Sequence, residues 1–337
     1  MRQKPIYLVW MIFIVFFMSL CTRQKDSHNL TGSYLDQEPP GMTAEIFAPD
    51  IVSTEHSEFC SVFSLGGDEF YWTISGAPYP VIAVMRQIDD RWIEPEIAPF
   101  SGNYLDYDMA FTPDGNRLFF SSRRPLDGNG PPTDNTDFWF VERNGTGWSE
   151  PRHLQGPVNS NAQEYYPIFS QNGTLYFSST RIVGYGGGDI YRARFENGEY
   201  QEPENLGPPI NTENFEGDLF IAADESYIIV TCYGRPDSLG SGDLYISFRK
   251  DDGTWASLQN MGTSVNSPAN EHCPILSPDR KYLFFSSGRS RYPAYSKVAI
   301  TYREKIAMMK SWGNGGNEDI YWVDARIIEE LKPSELR

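Results

Sequence analysis

The sequence predicts an all-β protein, a five-bladed β-propeller of four-stranded blades closed by an N-terminal strand that completes the last blade. Three observations predict it. Short β-branched or aromatic runs dominate, with hardly any apolar pattern of helical period. Gly (29) and Pro (24) are abundant among the 337 residues. One hairpin-like stretch also recurs five times, at a spacing near 50 residues.

The recurring stretches are "SEFCSVFSLGGDEFYWTIS", "LDYDMAFTPDGNRLFFSSRR", "QEYYPIFSQNGTLYFSSTR", "FEGDLFIAADESYIIVTCYG" and "EHCPILSPDRKYLFFSSGR". Aligned on the apolar residue before the turn (Phe63, Phe111, Phe169, Ile221, Leu276), the position five earlier is always acidic: Glu58, Asp106, Glu164, Glu216, Glu271. Six residues before each acid stands an apolar residue, followed by Ser53, Ser101, Asn159, Asn211 or Asn266. A unit of this length cannot bury both faces alone, so it reads as one blade of a ring.

The third repeat shows the strands in order. "YYPIFS" is the inner strand, "TLYFSS" the second, "DIYRARF" the third and "EYQEPENL" the outer one. Gln-Asn-Gly at 171–173 and Glu-Asn-Gly at 196–198 join them as turns, because Asn and Gly tolerate positive φ.

These units resemble the TolB-like (WD-repeat-like) propeller repeats of bacterial cell-envelope proteins, which run Glu-x-x-Pro-x-Phe-Ser-x-Asp-Gly, Leu-Tyr-Phe-Ser-Ser-x-Arg, Gly-x-Gly-Gly-x-Asp-Ile-Tyr and Trp-x-x-Pro-x-x-Leu. "GYGGGDIYRARFENGEYQEPENLGPPIN" (184–211) and "GNGGNEDIYWV" (313–323) carry the likeness well; blade one departs from it, with "PYPVIAV" where Asp-Ile-Tyr is due. The resemblance covers about residues 42–325. It implies the propeller fold and a cell-envelope setting, and leaves function open, because such repeats occur in scaffolds, receptors and enzymes.

Closure follows from the register. The last repeat stops after "DIYWVDA", while the segment "TAEIFAPDIVSTEH" leads into the first acid as "PENLGPPINTENF" leads into Glu216. Residues around 43–50 should therefore supply the outer strand of blade five, removing an exposed edge. A short helix is expected in the tail 326–337.

At the other end, a basic start and an apolar run from Ile6 to Leu20 read as an export signal over residues 1–20. Cys21 closes the run in a setting that resembles a bacterial lipobox, making it the expected lipidated N-terminus; an uncleaved anchor and simple secretion are the alternatives. Residues 22–41 read as a flexible tether. Loss of residues 1–20 removes two cations and no acid, taking the net charge from −17 to −19. That disfavours nucleic acid and anionic membrane surfaces as partners and suits a channel cation such as Ca²⁺.

Strand direction brings the five acids, Arg124, Arg181, Arg289 and the second-to-third-strand loops to one face. The longest of these loops, within 290–312, carries Arg291, Lys297, Arg303, Lys305 and Lys310 in an otherwise acidic protein. Acids and arginines repeated in every blade read first as a structural lattice. Residues that break the repeat, Asp108, Asp218 and His272 near the channel mouth, are the sharper ligand-binding candidates. Gly76 and Gly234, where Arg is missing, and Tyr79 break it too. Cys60 and Cys273 occupy equivalent positions on inner strands that closure makes neighbours; a disulfide between them is the less favoured reading, because equivalent strand positions are often more than about 7 Å apart between Cα atoms.

No Gly-x-Ser-x-Gly, His-Glu-x-x-His, Cys-x-x-Cys or phosphate loop occurs. The sequence therefore favours a monomeric binding or scaffolding module, more a binder than an enzyme, presenting its loop-bearing face to an envelope protein, peptide or glycan. The alternative is a glycan-active enzyme using channel carboxylates such as Glu58, Glu164, Glu216 and Glu271, since glycosidases pair two carboxylates about 5 to 10 Å apart.

Overall fold

The computed structural model describes residues 30–289, 301–303 and 317–336. The export signal, Cys21 and nearly all of the 290–312 insertion lie outside the described residues. Among those described, no helix is long and apolar enough to cross a membrane.

Five antiparallel sheets follow one another along the chain. Their inner strands are Ser57–Phe63, Asp106–Phe111, Glu164–Phe169, Phe215–Ile221 and Glu271–Leu276. Each pairs with a second strand, which pairs with a third, and a two-residue outer strand completes the blade. In blade three the outer strand is Glu204–Asn205; Glu199–Tyr200, expected to belong to it, instead pairs with Phe195–Glu196 in a hairpin that extends the third strand. In blade five the fourth strand is Glu45–Ile46, set against Trp322 and Tyr321 of Asp319–Asp324. The ring is thus closed by the N-terminal strand. A helix, Arg326–Leu331, follows and buries Ile327 and Ile328.

The repeat has a mechanical meaning. The Asn or Ser five residues before each inner-strand acid reaches back to the third strand of the preceding blade. Asn159 Oδ1 accepts from the Phe138 amide (2.7 Å), Asn211 Oδ1 from Ile190 (2.8 Å) and Asn266 Oδ1 from Leu244 (2.9 Å). Ser101 Oγ does the same for Ile82 at 3.1 Å. Buried amides lose water on folding, so each clamp replaces a hydrogen bond that the sheet alone would leave unmade.

Large aromatic side chains fill the space between sheets: Trp72, Trp92, Trp322, Tyr71 and Tyr176 are essentially inaccessible. Phe47, beside the closing strand, contacts Phe63, Phe70, Phe284 and Trp322 with ring centroids 5.0–6.3 Å apart. The stretch 30–37, read from sequence with the tether, is docked on the ring. Leu30 and Leu35 are buried, and Tyr34 packs against Tyr282.

Candidate channel site

Every inner strand carries a β-bulge two residues after its acid, seen as a register shift against the second strand. At that point Cys60, Asp108, Tyr166 and Cys273 adopt positive φ, between 46° and 54°. Such backbone is uncommon for residues with a Cβ and is held by its surroundings. A bulge re-aims a side chain. The repeated bulge brings one level of the channel together from five blades: Cys60, Asp108, Tyr166, Asp218 and Cys273.

Cys60 and Cys273 form a disulfide, with Cα atoms 5.1 Å apart. Cys60 Sγ lies 2.9 Å from Asp108 Oδ1, and Cys273 Sγ lies 3.3 Å from Asp218 Oδ2 and 3.2 Å from His272 Nδ1. Tyr166 closes this level, its hydroxyl donating to the Pro274 carbonyl at 3.0 Å. Asp108 is buried; its other oxygen meets the Tyr166 amide at 3.3 Å. Burial, reinforced by the neighbouring charge of Asp218, pushes the Asp108 carboxyl well above the usual carboxylate range.

One level nearer the mouth, His272 bridges two carboxylates, Nδ1 to Asp218 Oδ2 and Nε2 to Glu318 Oε1, each at 3.1 Å. Burial works against a charged ring there, but Glu318 and Asp218 outweigh it and hold the imidazolium pKa up to about 10. Reciprocally, although burial pushes Glu318 up, the His272 charge and hydrogen bond bring its carboxyl below the ordinary value. Around this array stand half-buried aromatic rings from successive blades. Phe59 stacks on His272 (6.1 Å between centroids) and meets Tyr107 at 6.4 Å. The Tyr107 hydroxyl and the Arg123 Nε share Thr136 Oγ1, at 3.3 and 3.1 Å.

The five repeated acids sit elsewhere. Glu58, Asp106, Glu164, Glu216 and Glu271 are fully buried within their blades. Four of them accept both the amide and the hydroxyl of the residue four earlier: Thr54, Ser160, Thr212 and Ser267. Arg124 pairs with Asp106 (2.8 Å), Arg181 with Glu164 (3.4 Å) and Arg289 with Glu271 (3.3 Å). In blade four, where Gly234 replaces the arginine, the neighbouring Arg235 supplies the charge that acts on Glu216. Tyr79 is occupied too, its hydroxyl donating to the Gly102 carbonyl at 3.1 Å. The partners of these acids are hydroxyls, amides and arginines of their own repeats.

Sequence reasoning pointed to Asp108, Asp218 and His272 because they break the repeat, and the structure brings those three together with Cys60 and Cys273. It missed Glu318, which lies just before the third strand of blade five, and Arg123, masked by the repeated arginine that follows it. The opposite face, with its short turns, also has relief: Phe63, Phe111, Phe169, Ile221 and Leu276 line a recess of about 190 Å³ at the far channel mouth.

The ring of blades, its inner-strand bulges and its N-terminal closure settle the architecture. The fold is a five-bladed β-propeller. No family model and no curated protein matches the chain. Solved structures do. A protein described as a glycoside hydrolase is similar with a TM-score of 0.50 at 10% identity, over 88% of this chain and 92% of that one. The α-L-arabinofuranosidase of Lactobacillus brevis gives 0.45 and 12%, over 80% and 90%. A putative TolB from Agrobacterium tumefaciens gives 0.46 and 18%, over 73% of each chain. At 10% identity the first of these speaks for the fold alone.

The sequence favoured a binder over an enzyme. The channel corrects that expectation. Cys60, Asp108 and Cys273, and likewise Asp218, His272 and Cys273, hold ligand-type atoms within 4.8 Å of one another. Closely set carboxylate, imidazole and sulfur groups with displaced pKa values are the material of a reactive or metal-binding centre.

Proposed function

We propose that the protein is a glycan-active enzyme of the cell envelope, working at the mouth of the central channel. The observation that carries this reading is a carboxylate–imidazole–carboxylate array, Asp218, His272 and Glu318, set among the rings of Phe59 and Tyr107. Aromatic faces suit the apolar faces of sugar rings. Glycosidic bond cleavage uses two carboxyl groups roughly 5–9.5 Å apart, and an imidazole hydrogen-bonded on both nitrogens spaces two carboxylates within that range. His272 fixes both partners, and Glu318, with its side chain 26% exposed, is the one a substrate meets first.

The test is release of reducing ends from a panel of polysaccharides by the mature protein. Glu318→Gln and Asp218→Asn should each lower kcat of the folded protein at least about 100-fold, and Phe59→Ala should raise KM. If the intact protein releases no reducing ends and is not retarded in any glycan-containing gel, the reading fails.

A second reading, docking of an envelope protein or peptide, is favoured by a different observation. The second-to-third-strand loops expose Leu126, Ile182, Val183, Tyr185 and Leu239 on the acid-bearing face. Clustered exposed apolar residues mark interaction surfaces. Removal of 290–312 should weaken envelope partner capture under this reading and leave glycan turnover to decide the first. Envelope location rests on residues 1–21: Cys21→Ser should abolish lipid labelling and release the protein from membranes.

A further inference from the structure

We propose that Cys60, Cys273 and Asp108, once the disulfide is reduced, form a three-ligand site for a zinc-class divalent ion, its fourth position open toward Asp218. The inference stands apart from the glycan reading and needs no sugar to test.

The donor set is the first argument. Two sulfurs from adjacent blades face one carboxylate oxygen, with all three ligand atoms within 4.8 Å of one another and all three residues buried. Two thiolates and a carboxylate suit a borderline-soft ion that accepts sulfur and oxygen in tetrahedral array. Hard ions such as Ca²⁺ prefer oxygen throughout, so the channel cation this level would take differs from the one the acidic composition suggests.

Charge is the second argument. In the disulfide form Asp108 Oδ1 rests on Cys60 Sγ, an uncharged sulfur with no proton to give. Its other oxygen has the Tyr166 amide at 3.3 Å and the Ser121 hydroxyl at 3.5 Å, both long. These long bonds leave little beyond the His272 charge to stabilise the ionised carboxyl, and a cation between it and the two sulfurs would do so. The outer shell is already built. Tyr166 floors the site, and Asp218 on the open side is oriented by His272, which Glu318 holds in turn. Such supporting bonds fix ligands and open-side groups alike.

Geometry is the third. The bulges impose positive φ on Cys60, Asp108 and Cys273, so three blades adopt uncommon backbone to aim these side chains at one point. Cys232, the remaining described thiol, is buried and outside the cluster.

The chemistry balances with a dithiol reductant. Two electrons and two protons pass from the dithiol to the disulfide, giving two thiols and a cyclic oxidised reductant. The ion then displaces the two thiol protons, and the Asp108 carboxyl proton where it is held, to solvent as the two Sγ–metal bonds and the Asp108 oxygen–metal bond form.

The full mature chain would be reduced with dithiothreitol, desalted under nitrogen and titrated with Zn²⁺, and separately with Co²⁺. One zinc per chain is expected, and the cobalt form should show sulfur-to-metal charge-transfer absorption. Cys60→Ser and Cys273→Ser should each abolish that band, Asp108→Asn should weaken binding at least about tenfold, and Cys232→Ser should leave it intact. Circular dichroism controls for folding. Should the Cys variants unfold, Asp108→Asn and the cobalt spectrum of the reduced wild-type chain still decide. A folded, fully reduced chain that gives no cobalt–thiolate band, or a Cys60→Ser chain that binds zinc as tightly as wild type, overturns the proposal.

Discussion

Ser53 Oγ accepts a hydrogen bond from the Ile320 amide at 3.1 Å, across 267 residues of chain. It is the blade-to-blade clamp of the Asn159, Asn211 and Asn266 type, used here to join the first repeat to the last. Beside it, Phe47 is fully buried among four aromatic rings. Removing the Phe47 ring from so packed a site should cost about 3–5 kcal/mol. Ser53→Ala should cost about 1–2 kcal/mol by leaving the Ile320 amide unpaired. Urea unfolding of both variants checks this; a Phe47→Ala midpoint equal to wild type would mean that closure contributes nothing to stability.

The docked stretch before the closing strand makes stability depend on pH. Tyr34 donates to Asp279 Oδ1 at 2.7 Å. Partial burial pushes the Asp279 carboxyl up, but hydrogen bonds from Tyr34, Ser277 and Lys281 outweigh it and bring the pKa down to about 2. A carboxyl with a folded pKa below its unfolded value of about 3.9 stabilises the fold above that value and loses the contribution as pH falls through the folded pKa. The stability gap between wild type and Tyr34→Phe should therefore be present at pH 5, about 1 kcal/mol for one hydrogen bond, and shrink toward pH 2. A gap that is unchanged or wider at pH 2 would contradict the assignment.

The Gly-rich loops hold neighbouring blades in contact. In blade three Asp189 caps its own loop by accepting from the Tyr185 and Gly186 amides at 2.6 and 3.2 Å, and the Gly187 amide reaches Asn214 of the next blade at 2.8 Å. A Cβ on Gly186 would stand 1.8 Å from the Asn214 carbonyl oxygen; one on Gly240, the blade-four counterpart, 1.9 Å from that of Ala269. The obstacles are backbone, which cannot step aside. Gly186→Ala and Gly240→Ala should each cost about 1–3 kcal/mol, whereas Gly198→Ala, with open space around it but positive φ, should cost less. Differential scanning calorimetry of the three variants would rank them.

The fold was legible because its devices are local and repeated. Acid, clamp residue and turn recur at fixed offsets, and Glu45–Ile46 could be placed beside Trp322 by register alone. The site was legible only in part. Asp108, Asp218 and His272 stand out where the repeat breaks, but what they face depends on bulges that turn Cys60 and Cys273 inward, and a one-residue bulge leaves no mark on an apolar alternation. Glu318 gave no signal, since it comes to His272 through the pairing of strands within blade five, from just before Asp319–Asp324, rather than through any motif. The repeated acids, equally visible, proved to be internal fastenings, because Thr54, Ser160, Thr212 and Ser267 lie four residues upstream in position to bind them.

Glu164 makes that last distinction measurable. Its carboxylate is inaccessible and accepts from the Ser160 amide (3.1 Å), the Ser160 hydroxyl (2.6 Å) and the Ser179 hydroxyl (3.1 Å), with Arg181 alongside. Burial raises its carboxyl above the ordinary value, while these bonds oppose the rise. Glu164→Ala strips four donors of their acceptor and should destabilise by about 1–3 kcal/mol; Ser160→Ala, which removes one hydroxyl and keeps the amide, should cost about 1 kcal/mol. Because Glu164 faces its own blade and not the channel, glycan turnover by the folded variants should match wild type after correction for the folded fraction. A Glu164→Gln protein as stable as wild type but inactive would instead move the reacting carboxylate from Glu318 to Glu164.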